Sequence, residues 1–219
     1  MKPSVPSLLT LSLCAALGAA GTARAADAVF DTNPFAGSTA NPDDGIRVVF
    51  TGNQRSLPSF DVAGDRFVFD AAVFDVGGAL SFANGLTASL PASGPNVIVV
   101  LDTGSGFNAG TAANLIADAL TSDGAGIFMY SNVGLGVNRL VYSTNLNLNT
   151  ADLSVLARIE SPFAPDALPA LAGFGADNFA LAPVPEPGSY ALLLGGLTML
   201  GTWARRRLNL NVKADSRTA

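Results

Sequence analysis

The chain has 219 residues, with 12 Lys and Arg against 17 Asp and Glu for a formal net charge of −5, no histidine and one cysteine. The missing imidazole removes the commonest general base and the commonest transition-metal ligand, so Ser-His-Asp chemistry is excluded and neither a cofactor nor a transition-metal site is expected. The central arginines Arg47, Arg55, Arg66, Arg139 and Arg158 are scattered in an acidic background, which argues against a nucleic-acid surface.

At the N-terminus, Lys2 precedes the apolar run Leu8, Leu9, Leu11, Leu13, Ala15, Ala16 and Leu17 and then small residues through Gly21. This is the basic start and short apolar core of a secretory signal peptide, too brief to span a bilayer. It ends at Ala23-Arg24-Ala25, where the small side chains of Ala23 and Ala25 fit the shallow pockets of signal peptidase. Residues 1–25 are therefore read as the signal peptide, with the cut after Ala25 and Ala26 as second choice. The single cysteine, Cys14, leaves with that segment, so disulfides, thiolate metal sites and cysteine nucleophiles are excluded from the exported protein.

Residues 26–183 have the length of one domain with its own core. Short apolar, β-branched and aromatic runs recur at Ile46 to Thr51, Phe67 to Phe69, Val97 to Leu101, Ile127 to Tyr130, Leu140 to Tyr142 and Leu153 to Ile159. Clusters of Gly, Asn, Asp, Ser and Pro separate them, which predicts strands joined by turns. The runs Val97 to Leu101 and Ile127 to Tyr130 lack alternation and predict strands buried on both faces. One segment, Thr111 to Leu120, sets Leu115, Ile116, Ala119 and Leu120 on a helical face with Asn108 or Thr111 as N-cap and Gly124 beyond its end. The stretch Arg139 to Ile159 predicts two strands around an Asn-rich turn, with Arg139 and Arg158 facing solvent. Ser161 to Pro183, rich in Pro, Ala and Gly, predicts an ordered loop or late edge strand leading into a linker. The expected fold is mainly β, an antiparallel sandwich-like domain with one helix.

Two acidic patterns suggest chemistry. Val99 to Gly106 resembles the strand and loop of aspartic proteases, in which Asp-Thr-Gly presents a catalytic carboxylate; such chemistry needs two, and Asp102-Thr103-Gly104 has no second copy. Asp61, Asp65, Asp70 and Asp75, with Asp43 and Asp44, are candidates for extracellular calcium, although their spacing matches no defined calcium loop.

After the domain come Val184-Pro185-Glu186-Pro187-Gly188, an apolar run from Tyr190 to Ala204, and Arg205-Arg206-Arg207. This tripartite tail resembles the PEP-CTERM substrates of exosortase, a tail type also described as the C-terminal region of ice-binding proteins. Ice binding would call for a flat Thr-x-Thr array, which the sequence lacks. The resemblance implies a sorting signal over residues 184–207 and a cytoplasmic tail over residues 208–219. It assigns Val184, Pro185, Glu186 and Pro187 to the motif read by an exosortase-like membrane enzyme.

The prolines keep the backbone at Glu186 extended and accessible. The apolar run predicts a single C-terminal transmembrane helix, and Arg205, Arg206 and Arg207 a stop signal held inside by the positive-inside effect. The run is shorter than the roughly 20 residues of an ordinary span, so Gly188 and the stem of an arginine must contribute. The expectation is an exported, membrane-anchored precursor that becomes a cell-surface or extracellular-matrix protein, non-catalytic and associated with exopolysaccharide. A carboxylate-based secreted hydrolase or a calcium-stabilised adhesin is the alternative.

Overall fold

The computed structural model describes residues 26–41, 44–160 and 167–182, together with Met199. Among the described residues, ten strands form two sheets. The first sheet has three strands in the order β1 (Asp27–Phe30), β4 (Arg66–Phe69), β10 (Phe179–Leu181), both pairings parallel. The second has the order β2 (Val49–Phe50), β9 (Leu153–Glu160), β8 (Val137–Ser143), β7 (Gly126–Asn132), β6 (Val97–Val100), β5 (Phe82–Gly85). β3 (Arg55–Ser56) pairs with β9 farther along the edge that β2 occupies, so β2 and β3 act as one edge strand interrupted at residues 51–54.

The mainly β expectation holds, but the antiparallel part is corrected. Six of the eight pairings are parallel, and only β7–β8 and β8–β9 are antiparallel. Parallel neighbours need long crossovers, and here the second sheet supplies them: β6 leads through α2 (Ala109–Ala119) to its parallel neighbour β7. The expected helix is present, with Asn108 as its N-cap accepting from Thr111 N at 3.1 Å. Its buried stripe is Ala109, Ala112, Ala113, Ile116 and Ala117, small residues that let the helix lie close on the sheet. Two further short helices, α1 (Ala71–Phe74) and α3 (Ala167–Ala172), correct the expectation of one helix.

The layers follow from the side-chain alternation of β6 and β7. Val97, Val99, Ile127 and Met129 point into a core shared with Phe30, Phe67 and Phe69 of the first sheet. Ile98, Val100, Phe128 and Tyr130 point into a second core against α2. The central sheet is thus covered on both sides, which is why these runs show no polar alternation. Between the sheets, Phe60 stacks on Phe67 at 4.3 Å, Phe30 on Phe69 at 5.5 Å, and Phe74 meets Tyr142 edge-on at 5.2 Å. Aromatic pairs of this kind each add about 0.5–1.5 kcal/mol beyond burial. Among the described residues no helix is long and apolar enough to cross a membrane. The transmembrane helix expected at Tyr190 to Ala204 lies, except for Met199, outside the described residues.

Candidate functional site

The two ends of the domain flank one strand. β1 opens two residues after the expected signal-peptide cut, and β10 closes the domain on the other side of β4. The last hydrogen bond of that ladder runs from Ala182 N to Phe69 O at 2.8 Å. Because both strands run parallel to β4, the start of β1 opposite Arg66 and the end of β10 opposite Phe69 lie at opposite ends of the sheet, about 10 Å apart along the strands. The sorting residues Val184, Pro185, Glu186 and Pro187, the stop signal Arg205, Arg206 and Arg207, and the cleavage residues Ala23 and Ala25 all lie outside the described residues.

The carboxylates of Asp44, Asp61, Asp65, Asp70 and Asp102 each accept from a backbone amide. Asp102 Oδ2 accepts from Thr87 N at 2.7 Å, fastening the single turn Thr87–Ser89 to the loop that follows β6. Asp70 caps α1 by accepting from Ala72 N at 2.9 Å, and Asp75 ends that helix in the left-handed conformation at φ 50°. Asp61 accepts from Ala63 N at 3.0 Å and Asp44 from Ile46 N at 2.8 Å. Asp43 lies outside the described residues. Among the described residues no group of three or more carboxylates gathers to hold a metal ion.

The arginines divide into two kinds. Arg47 is a structural clamp: its guanidinium donates to Ala151 O at 3.0 Å, Gly110 O at 3.0 Å and Asn114 Oδ1 at 2.6 Å, while buried Asp152 accepts from Val48 N at 2.7 Å. Burial pushes the Arg47 pKa down and the Asp152 carboxylate opposes that shift. Arg139 and Arg158 instead sit directly opposite each other on β8 and β9. Both are half-buried rather than solvent-facing, because they share the α2 side of the sheet with Tyr130, the register partner of Arg139. Arg158 pairs with Glu160. An open cleft of about 590 Å³ lies between the glycine-rich loop Thr103 to Phe107 and the β7–β8 turn, whose Val133 and Leu135 are exposed, and Arg158 and Glu160 line a neighbouring one of about 270 Å³ that shares Leu135 with it. The sequence carries no local signal for the Arg47–Asp152 clamp or the Arg139–Arg158 pair, since partners far apart in the chain meet only through strand pairing.

No curated protein and no solved structure matches the chain. One family description does match, that of the PEP-CTERM protein-sorting motif, over residues 183–207. The match begins immediately after Ala182, where the ladder of the three-stranded sheet ends, and it spans both the Pro-Glu-Pro motif and the arginine cluster. The chain therefore carries a PEP-CTERM sorting signal, which marks it as an exported, exosortase-targeted protein anchored at the membrane before processing.

Proposed function

We propose that the exported domain is a non-catalytic component of the cell surface or extracellular matrix, released near Pro185-Glu186-Pro187 and associated there with exopolysaccharide. The observation that carries this reading is the abutment of the sorting signal on the last strand: a cut in the motif leaves β10 and its pairing with β4 whole. The engagement of Asp44, Asp61, Asp70 and Asp102 by backbone amides supports a structural role for these carboxylates rather than acid–base work. Signal peptidase makes the first cut and the exosortase-like enzyme the second. Intact-mass measurement of surface-derived protein should give a C-terminus close to the motif, and Glu186→Ala should leave the precursor in the membrane fraction. A mature protein that retains Arg205 to Ala219 would refute the sorting role.

The polysaccharide contact is supported by the Arg139–Arg158 pair. Like charges opposite one another on adjacent strands repel, and Glu160 neutralises only one of them. A sugar carboxylate or sulfate would supply the missing negative charge at the cleft lined by Arg158, and the neighbouring cleft offers the hydroxyl and amide groups of Thr103, Ser105 and Asn132. A polyuronate should bind more tightly than a neutral glucan, and the double variant R139Q/R158Q should lose about tenfold in affinity. Equal binding of both polymers would remove this assignment. Turnover of either polymer, abolished by substituting Asp102 or Asp70, would replace the non-catalytic reading with a hydrolase.

A further inference from the structure

We propose that Asp65 is the receptor for the α-ammonium group that signal-peptide removal creates at Ala26, so that maturation and the locking of β1 onto β4 are coupled. The inference rests on the expected cut after Ala25 and goes beyond it. Ala26 N lies 2.8 Å from Asp65 Oδ1, and the other carboxylate oxygen is already held by Asp61 N at 2.8 Å. Asn178 Nδ2 donates to Asp65 O at 3.0 Å, fixing the residue from the β10 side. Ala26 O in turn accepts from Arg66 N at 3.1 Å, one step ahead of the first ladder pair, Asp27 with Arg66.

The other charged groups around this end are committed. Asp27 pairs with Arg66 at 3.0 Å; Arg55 donates to Val29 O at 2.7 Å and lies over the Phe30 ring at 5.1 Å. The Asp61 carboxylate is engaged elsewhere, its Oδ1 accepting from Ala63 N at 3.0 Å. Asp65 is thus the carboxylate placed for the amine, at the rim of an open cleft of about 280 Å³ that also takes in Ala26, Arg55 and Phe60.

Hydrolysis of the Ala25–Ala26 bond adds the oxygen of water to the Ala25 carbonyl carbon and releases the Ala26 amine. The proton of the new carboxylic acid passes to that amine, leaving a carboxylate on the departing peptide and an ammonium on the domain. In the precursor the Ala26 nitrogen is a neutral amide donor; afterwards the same hydrogen bond is charge-assisted and stronger. A cut after Ala26 would forfeit both of its contacts, so the geometry selects Ala25 over the second choice.

The neighbouring carboxylate raises the pKa of the α-amine above its ordinary value of about 7.7–8.0. The stabilisation is therefore complete below that ordinary value and lost as pH rises through the raised one. Residues 26–187 contain no lysine, so the α-amine is the only primary amine in the processed protein. The full chain, exported with its own signal peptide, should yield a product whose mass begins at Ala26. At pH 7 its acylation by an amine-reactive ester should be about three- to tenfold slower than in D65N. A glycine inserted between Ala25 and Ala26 moves the ammonium away from Asp65 and should restore fast acylation with an unchanged circular dichroism spectrum. Equal acylation rates in wild type and D65N, with the chain starting at Ala26, would overturn the capture while leaving export intact. A product starting at Asp27 would do the same, and one retaining residues 1–25 would overturn both the capture and the cleavage it rests on.

Discussion

Tyr142 ties residue chemistry to the joint between the two sheets. Its ring packs between Phe35 at 6.0 Å and Phe74 at 5.2 Å, and burial, helped by the negative charge of Asp75, pushes its pKa up to about 12. An unfolded tyrosine ionises near 10, so between those values the unfolded state loses its proton first. Stability should be unaffected by this group below about pH 10 and fall as pH rises from there towards 12. Denaturant titrations across that window should show the decline, and Tyr142→Phe should make it shallower, the remainder coming from Tyr130, whose pKa burial also raises. Asp102 gives the second prediction at this scale. Replacing it with Ala leaves the Thr87 amide without its acceptor, so urea denaturation should report a loss of about 1–2 kcal/mol. Tyr142 is recognisable in the sequence as an apolar strand residue and Asp102 as the start of a turn. Their partners are not, because Phe74 and Thr87 lie in other segments and nothing local to either residue names them.

Among the elements, α2 was the most legible because a period near 3.6, an Asn cap and a following glycine all agree on it. Strand direction was not legible. The turn residues between apolar runs fit a hairpin and the start of a crossover equally well, and the signal that separates them, an unbroken run such as Val97–Val100, speaks of burial on both faces rather than of pairing. The segment Asp27–Phe30 carries no assignment in the sequence for a related reason: four residues show too little pattern to declare a strand until β4 pairs with them. Close approach at the start of β7 gives an element-scale test. A Cβ on Gly126 would press on the Leu146 side chain and stand 2.7 Å from Asn96 O, the acceptor for Ile127 N. Gly126→Ala should therefore cost about 1–3 kcal/mol, measured by equilibrium unfolding.

For the whole molecule, the first and last strands close on the same central strand, so the domain is complete only when its final residues are in place. A chain stopped after Asn178 loses β10, and with it Phe179, which packs against Phe67 at 5.6 Å and Phe82 at 5.7 Å. Removing such a side chain from a core costs about 3–5 kcal/mol, a large share of the stability of a domain this size. The truncated form should lose its sharp thermal transition, whereas a chain stopped after Ala182 should keep it and give a β-dominated circular dichroism spectrum. What the sequence determined by itself is the C-terminal sorting signal over residues 183–207: a motif, an apolar run and an arginine cluster form a linear string, so order, charge and hydropathy suffice to specify it. Strand direction, the meeting of Arg139 with Arg158, the Arg47–Asp152 clamp and the seat for Ala26 on Asp65 were decided only by the tertiary structure. Each is a pairing between residues distant in the chain, selected by which packing buries the aromatic core, and no local pattern encodes such a choice.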